Sequence, residues 1–122
     1  MVSQTLDPPN RLYPLTEGLT LTVGRETVEV YFPGPSHTVD NVVVYFRGRD
    51  LLFGGCMIKA LGARNPGFTG DADMAAWPWS AQKVLERYPK ARLVVPGHGP
   101  VGTLELVRHT IDLCRRHNQQ NP

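Results

Sequence analysis

Long apolar runs, cysteine and any excess of charge are all scarce in this chain. The longest uninterrupted apolar stretch, residues 42–46, is far too short to cross a bilayer. The two cysteines could pair in an oxidising compartment, but Cys56 after Gly54-Gly55 reads as reactive and Cys114 on an apolar helix stripe reads as core. With 13 Lys and Arg against 11 Asp and Glu the net charge is +2, so no electrostatic footprint for nucleic acid or an anionic membrane is expected. Residues 1–18 hold no apolar stretch of the kind a signal peptide needs, so the sequence predicts no export signal within the chain. Internal repeats and low-complexity segments are missing. So is any His-x-His pair.

What remains at 122 residues is one domain with a core shared by most of its elements, a single layer pair. Residues 1–18 carry Pro8, Pro9, Pro14 and Gly18 with few apolar residues, and read as an irregular lead-in or linker. Residues 19–122 read as the folded unit. β-formers over 19–23 and 27–32 flank Gly24-Arg25, a hairpin signal. A second hairpin is predicted over 41–46 and 51–53; its strands are apolar on both faces and therefore central. Three glycines and a proline without period between 59 and 70 make a long loop. Met74, Trp77, Ala81, Val84 and Tyr88 recur at helical spacing up to Pro89, with Pro78 in the first turn. A short buried strand over 91–95 follows. Thr103 then caps a last helix whose apolar stripe is Leu104, Val107, Ile111 and Cys114. The expected class is α+β, a mixed sheet packed by two helices.

Three side chains that zinc favours stand just after strand-like runs: His37, Cys56 and His98. Each sits in stiff or close-packing sequence. His37 lies in Pro33-Gly34-Pro35-Ser36-His37-Thr38, Cys56 follows Gly54-Gly55, and His98 lies in Pro96-Gly97-His98-Gly99-Pro100. Strands that end at one sheet edge bring such residues together, and a thiolate with two imidazoles is a zinc ligand set. Taken singly, each also reads as a turn histidine or a small buried hydrophobe. His109 and His117 fall among charged residues of the last helix and are expected to face solvent. Cys114 shares the core stripe. Asp71 and Asp73 precede a helix, where carboxylates cap N–H groups and favour the dipole.

At these residues the chain resembles the first subclass of class B metallo-β-lactamases. Four stretches look like successive blocks of that family: Tyr31-Phe32-Pro33-Gly34-Pro35-Ser36-His37-Thr38-Val39-Asp40-Asn41, Leu52-Phe53-Gly54-Gly55-Cys56-Met57-Ile58-Lys59, Gly70-Asp71-Ala72-Asp73-Met74-Ala75-Ala76-Trp77-Pro78 and Val94-Val95-Pro96-Gly97-His98-Gly99. The resemblance implies the C-terminal half of an αββα fold. It also implies that His37 belongs to a first zinc site and Cys56 and His98 to a second. Lys59 would meet a substrate carboxylate and Asn65 would lie near the lactam carbonyl. Most relatives on this fold, including glyoxalases of the second type and nucleases, have an aspartate where Cys56 stands, so the cysteine favours the β-lactamase reading over a nuclease or thioesterase.

The family's His-x-His-x-Asp motif is absent from the chain. The resemblance therefore implies a zinc-dependent β-lactam hydrolase polypeptide that is incomplete without an N-terminal half carrying that motif. A non-catalytic homodimer of half-folds that binds zinc is the alternative. The family resemblance implies a periplasmic setting.

Overall fold

The computed structural model describes residues 5–122. Residues 1–4 of the expected lead-in lie outside the described residues; 5–18 form neither helix nor strand and close in a turn, Gly18 N–H on Leu15 O at 3.3 Å. Five strands and two α-helices follow: β1 (Leu19–Val23), β2 (Glu26–Tyr31), β3 (Val43–Phe46), β4 (Leu51–Gly55), α1 (Trp77–Arg87), β5 (Leu93–Pro96) and α2 (Glu105–Gln120). The sheet order is β1-β2-β3-β4-β5, antiparallel up to β4 and parallel between β4 and β5. This is the mixed α+β sheet with two helices that the sequence predicts.

β1 and β2 pair through a two-residue turn, where Gly24 supplies the positive φ (61°) that such a turn demands. β3 and β4 join through a 3-10 turn, Arg47–Arg49, and Asp50 in left-handed conformation. The pairing pattern makes β2, β4 and β5 run in one direction. Their C-terminal ends therefore share one end of the sheet, and His37, Cys56 and His98 all follow those ends.

Alternation splits the sheet into two unlike faces. Val43, Tyr45, Leu52 and Val94 point toward the helices and join Trp77, Ala81 and Val84 of α1 and Leu106, Val107, Ile111 and Cys114 of α2 in one core. The opposite face holds Leu19, Val30, Val44, Phe53 and Val95, related by direct cross-strand pairing. No element of the chain among the described residues covers it. Val23, Phe53 and Leu93 on that face are 62%, 46% and 47% exposed.

Several boundaries differ from expectation, each for a local reason. β3 begins at Val43 rather than 41 because the Asn41 side chain closes the preceding turn. β5 begins at Leu93 rather than 91, since the Ala91 N–H folds back onto Tyr88 O at 3.2 Å. β4 extends to Gly55, whose positive φ of 59° accompanies a bulge opposite Pro96. Thr103 does cap α2, accepting the Glu105 N–H at 3.3 Å. Asp73 caps the turn before α1 by accepting the Ala76 N–H at 3.0 Å.

Candidate metal centre and substrate cleft

Beyond the ends of β4 and β5 the chain forms a cleft of about 520 Å³, and Cys56, Lys59, Asn65 and His98 all line it. Parallel pairing sets Gly55 beside Pro96, which delivers Cys56 and His98 to adjoining positions. Gly97 makes the approach possible. A Cβ there would lie 2.7 Å from Cys56 Cα and 2.9 Å from its Sγ, so only glycine lets the two loops close on each other. Cys56 is an exposed free thiol and His98 is exposed beside it.

His37 is half-buried on the neighbouring turn and stands edge-on to Trp77, ring centroids 5.7 Å apart. Burial holds its pKa below the ordinary histidine value; the Lys59 charge acts in the same direction, Asp71 opposes it, and His98 lowers it further. The imidazole is thus neutral near pH 7, the form that binds metal. Its Nδ1 is shut off from solvent without a hydrogen-bond partner. An orphaned buried nitrogen costs about 1–3 kcal/mol, which a metal ion or a trapped water at the ring would relieve.

Lys59 is half-buried, its Nζ 5.6 Å from the Trp77 ring centroid. Burial draws its pKa below the usual lysine value, and the neighbouring Cys56 and Cys114 thiols work the other way. Its backbone is fixed, because the Lys59 N–H donates to Thr110 Oγ1 at 2.8 Å, and that hydroxyl donates on to Leu106 O. Asn65 is exposed, and its Oδ1 accepts the Gly67 N–H at 2.8 Å. That bond makes a local turn.

Donor chemistry, a neutral imidazole with an unpartnered nitrogen and a glycine cradle around the thiol all fit zinc. The set is not closed. Among the described residues no group of three or more His, Cys, Asp and Glu side chains gathers tightly enough to hold an ion. The chain brings its three candidate ligands to one end of the sheet and does not converge them.

Three contributors lie outside the residues that sequence reasoning singled out. Trp77, read as helix spacing, is fully buried, donates from its indole N–H to Met57 O at 2.9 Å and touches both His37 and Lys59. Asn41 braces the His37 turn. His109, expected to face solvent, is half-buried with its Nε2 2.8 Å from Ala63 O, and so anchors the loop that walls the cleft. Polar residues buried by tertiary contact carry no periodic signal. Only the adjacency of His109 and Thr110 opposite a glycine-rich loop hints at the anchoring role.

Similarity to known proteins agrees with this arrangement. The profile of the metallo-beta-lactamase superfamily matches residues 3–98. The chain is 40% identical over 102 residues to the metallo-beta-lactamase type 2 of Bacteroides fragilis, covering 84% of this chain and 41% of that protein. Against the type 2 enzyme of Bacillus cereus it is 42% identical over 95 residues, covering 78% and 37%. A solved metallo-beta-lactamase from Pontibacter korlensis superposes with a TM-score of 0.79 at 50% identity, covering 80% of this chain and 46% of that one. The chain spans less than half the length of each of these relatives. It belongs to the metallo-beta-lactamase superfamily.

Proposed function

We propose that this chain is the part of a zinc-dependent β-lactam hydrolase that holds the thiolate ligand and the substrate-carboxylate site, and that a second part bearing His-x-His-x-Asp completes it. The observation that carries the reading is the shared cleft. Cys56, His98 and Lys59 line one cavity, and the His37 ring and the Lys59 ammonium both stand against Trp77. When bound, zinc supplies Lewis-acid polarisation and lowers the pKa of water near neutrality.

The chain's own residues do the rest. Cys56 and His98 offer one soft and one borderline donor at the cleft mouth, and His37 offers a neutral imidazole on the adjoining wall. Lys59, kept from full solvation against Trp77, presents a cation to a carboxylate with less water to displace. The apolar flank of the cleft, with Ile58, Ala60 and Pro100, limits water around a bound ring. Asn65 stands at the cleft wall, where an amide N–H would meet the lactam carbonyl.

The open apolar sheet face supports the need for a second part. Eleven apolar side chains lie on one sheet face and only Val28 of them is buried, and an apolar face of that size is stable in water only when something packs on it. The complementary half is the partner favoured here, because three ligands do not converge without it. A homodimer would cover the same face.

Cobalt substitution tests the metal reading. The full chain loaded with Co²⁺ should show thiolate-to-metal absorption that Cys56→Ser abolishes and Cys114→Ser leaves intact. A spectrum without a thiolate band, or one that survives Cys56→Ser, would sink the assignment.

A further inference from the structure

Asn41 follows His37 in the chain, and its carboxamide is wholly engaged with the turn that carries that histidine. Its Oδ1 accepts the Ser36 hydroxyl at 2.5 Å and the Thr38 backbone N–H at 3.0 Å. Those two donors flank His37 directly. Its Nδ2 donates to Gly34 O at 3.4 Å and toward Met57 Sδ at 3.7 Å, and Met57 is the residue after Cys56. The partners fix the amide's orientation, since a backbone N–H only donates and a backbone carbonyl only accepts.

The rest of the turn is braced around this amide. Ser36 is fully buried, its N–H donates to Thr38 O at 2.9 Å, and its own carbonyl accepts the Asp73 N–H at 2.9 Å. His37 itself has no such hold, for its Nδ1 makes no hydrogen bond. The place of the imidazole is therefore set by the turn and by its edge contact with Trp77. We infer that Asn41 is the positioning residue of the candidate metal centre: one carboxamide fixes the His37 turn from both sides and ties it to the segment that carries Cys56. The inference deepens the proposed function and rests on His37 being a ligand there.

The two ends of the carboxamide can be tested separately. Asn41→Ala removes both. Asn41→Asp keeps an oxygen for Ser36 and Thr38 but sets a second oxygen against the Gly34 carbonyl, so it should lower the melting temperature while leaving His37 in place. The readout is the set of imidazole ¹⁵N–¹H signals of the metal-free full chain at alkaline pH, with His37 assigned by their loss in His37→Gln. The wild-type chain and Asn41→Asp should each give one sharp set for His37. Asn41→Ala should broaden or multiply that set and leave the other three histidines unchanged. Cobalt affinity should fall about ten-fold or more in Asn41→Ala and much less in Asn41→Asp.

Sharp, unchanged His37 signals in Asn41→Ala would overturn the inference, as would equal disturbance by both variants. If Asn41→Ala does not fold, Ser36→Ala removes one of the two donors and should broaden the His37 set partially; no broadening contradicts the role. The signals are read without metal. A wild-type chain that binds no cobalt would thus count against the zinc reading alone, and the ring signals would still decide the role of Asn41.

Discussion

Cys56 and Cys114 are the same residue type in opposite surroundings, one exposed at the cleft mouth and one at 0% exposure in the core. Burial pushes the Cys114 thiol up to about 12. Tyr45 behaves likewise: burial first, then its hydrogen bond to Asp50 at 2.7 Å, push its phenol up to about 12. Both groups are neutral in the folded chain and ionise more readily once unfolded, at ordinary values of 9.0 and 10.0. Their contribution to stability is therefore complete below pH 9 and is lost as pH rises from there through about 12. Thermal melts across that window should show a falling midpoint, and Tyr45→Phe should flatten the part above pH 10. A midpoint that stays level to pH 11 would contradict the burial argument. The placement of Cys56 and His98 at the ends of neighbouring strands was legible in the sequence because Gly and Pro beside them mark turns after strands. Asn41 and Trp77 were not, because their roles consist of contacts to residues far along the chain or across a turn. An amide or an indole looks the same in a sequence whether it braces a site or packs in a core.

At the level of elements, α2 does more than fill the core. Two consecutive residues on it grip the long loop after β4: Thr110 takes the Lys59 N–H, and His109 holds Ala63 O. The loop's Pro66 is buried while Arg64 beside it is exposed. His109→Ala should loosen the loop and raise the rate of tryptic cleavage after Arg64 by about two- to ten-fold, the equivalent of one ordinary hydrogen bond. His109→Gln keeps a donor and should restore most of the protection. Equal cleavage rates in wild type and His109→Ala would show that the loop holds itself. The elements themselves were readable from apolar spacing, hairpin turns and Pro89, with errors of one or two residues at the ends. Those errors arose where side chains or folded-back N–H groups take over backbone partners. The loop's attachment to α2 was invisible, since a charged helix surface around His109 reads as solvated until its neighbour is known.

Across the whole molecule, the sheet has one face sealed by two helices and one face open among the described residues. The open face carries an apolar surface on which Phe53 of β4 is 46% exposed. The mixed sheet with two helices was legible in the strand and helix spacing, and the absence of His-x-His-x-Asp from the sequence is what motivates the two-part proposal. That the three candidate ligands reach one end of the sheet without gathering was not legible, because side-chain distances are set by loop geometry and not by spacing along the chain. The metallo-beta-lactamases it matches are more than twice as long as the stretch matched here. The decisive measurement is zinc-dependent hydrolysis of a carbapenem, followed as loss of lactam absorbance, by the full chain alone and after mixing with a separately produced half that bears His-x-His-x-Asp. The account predicts negligible turnover by either part, turnover on mixing, and loss of that gain in Phe53→Glu, which puts a charge on the open face. Rapid turnover by the chain alone, or none after mixing with a folded partner half, would contradict it.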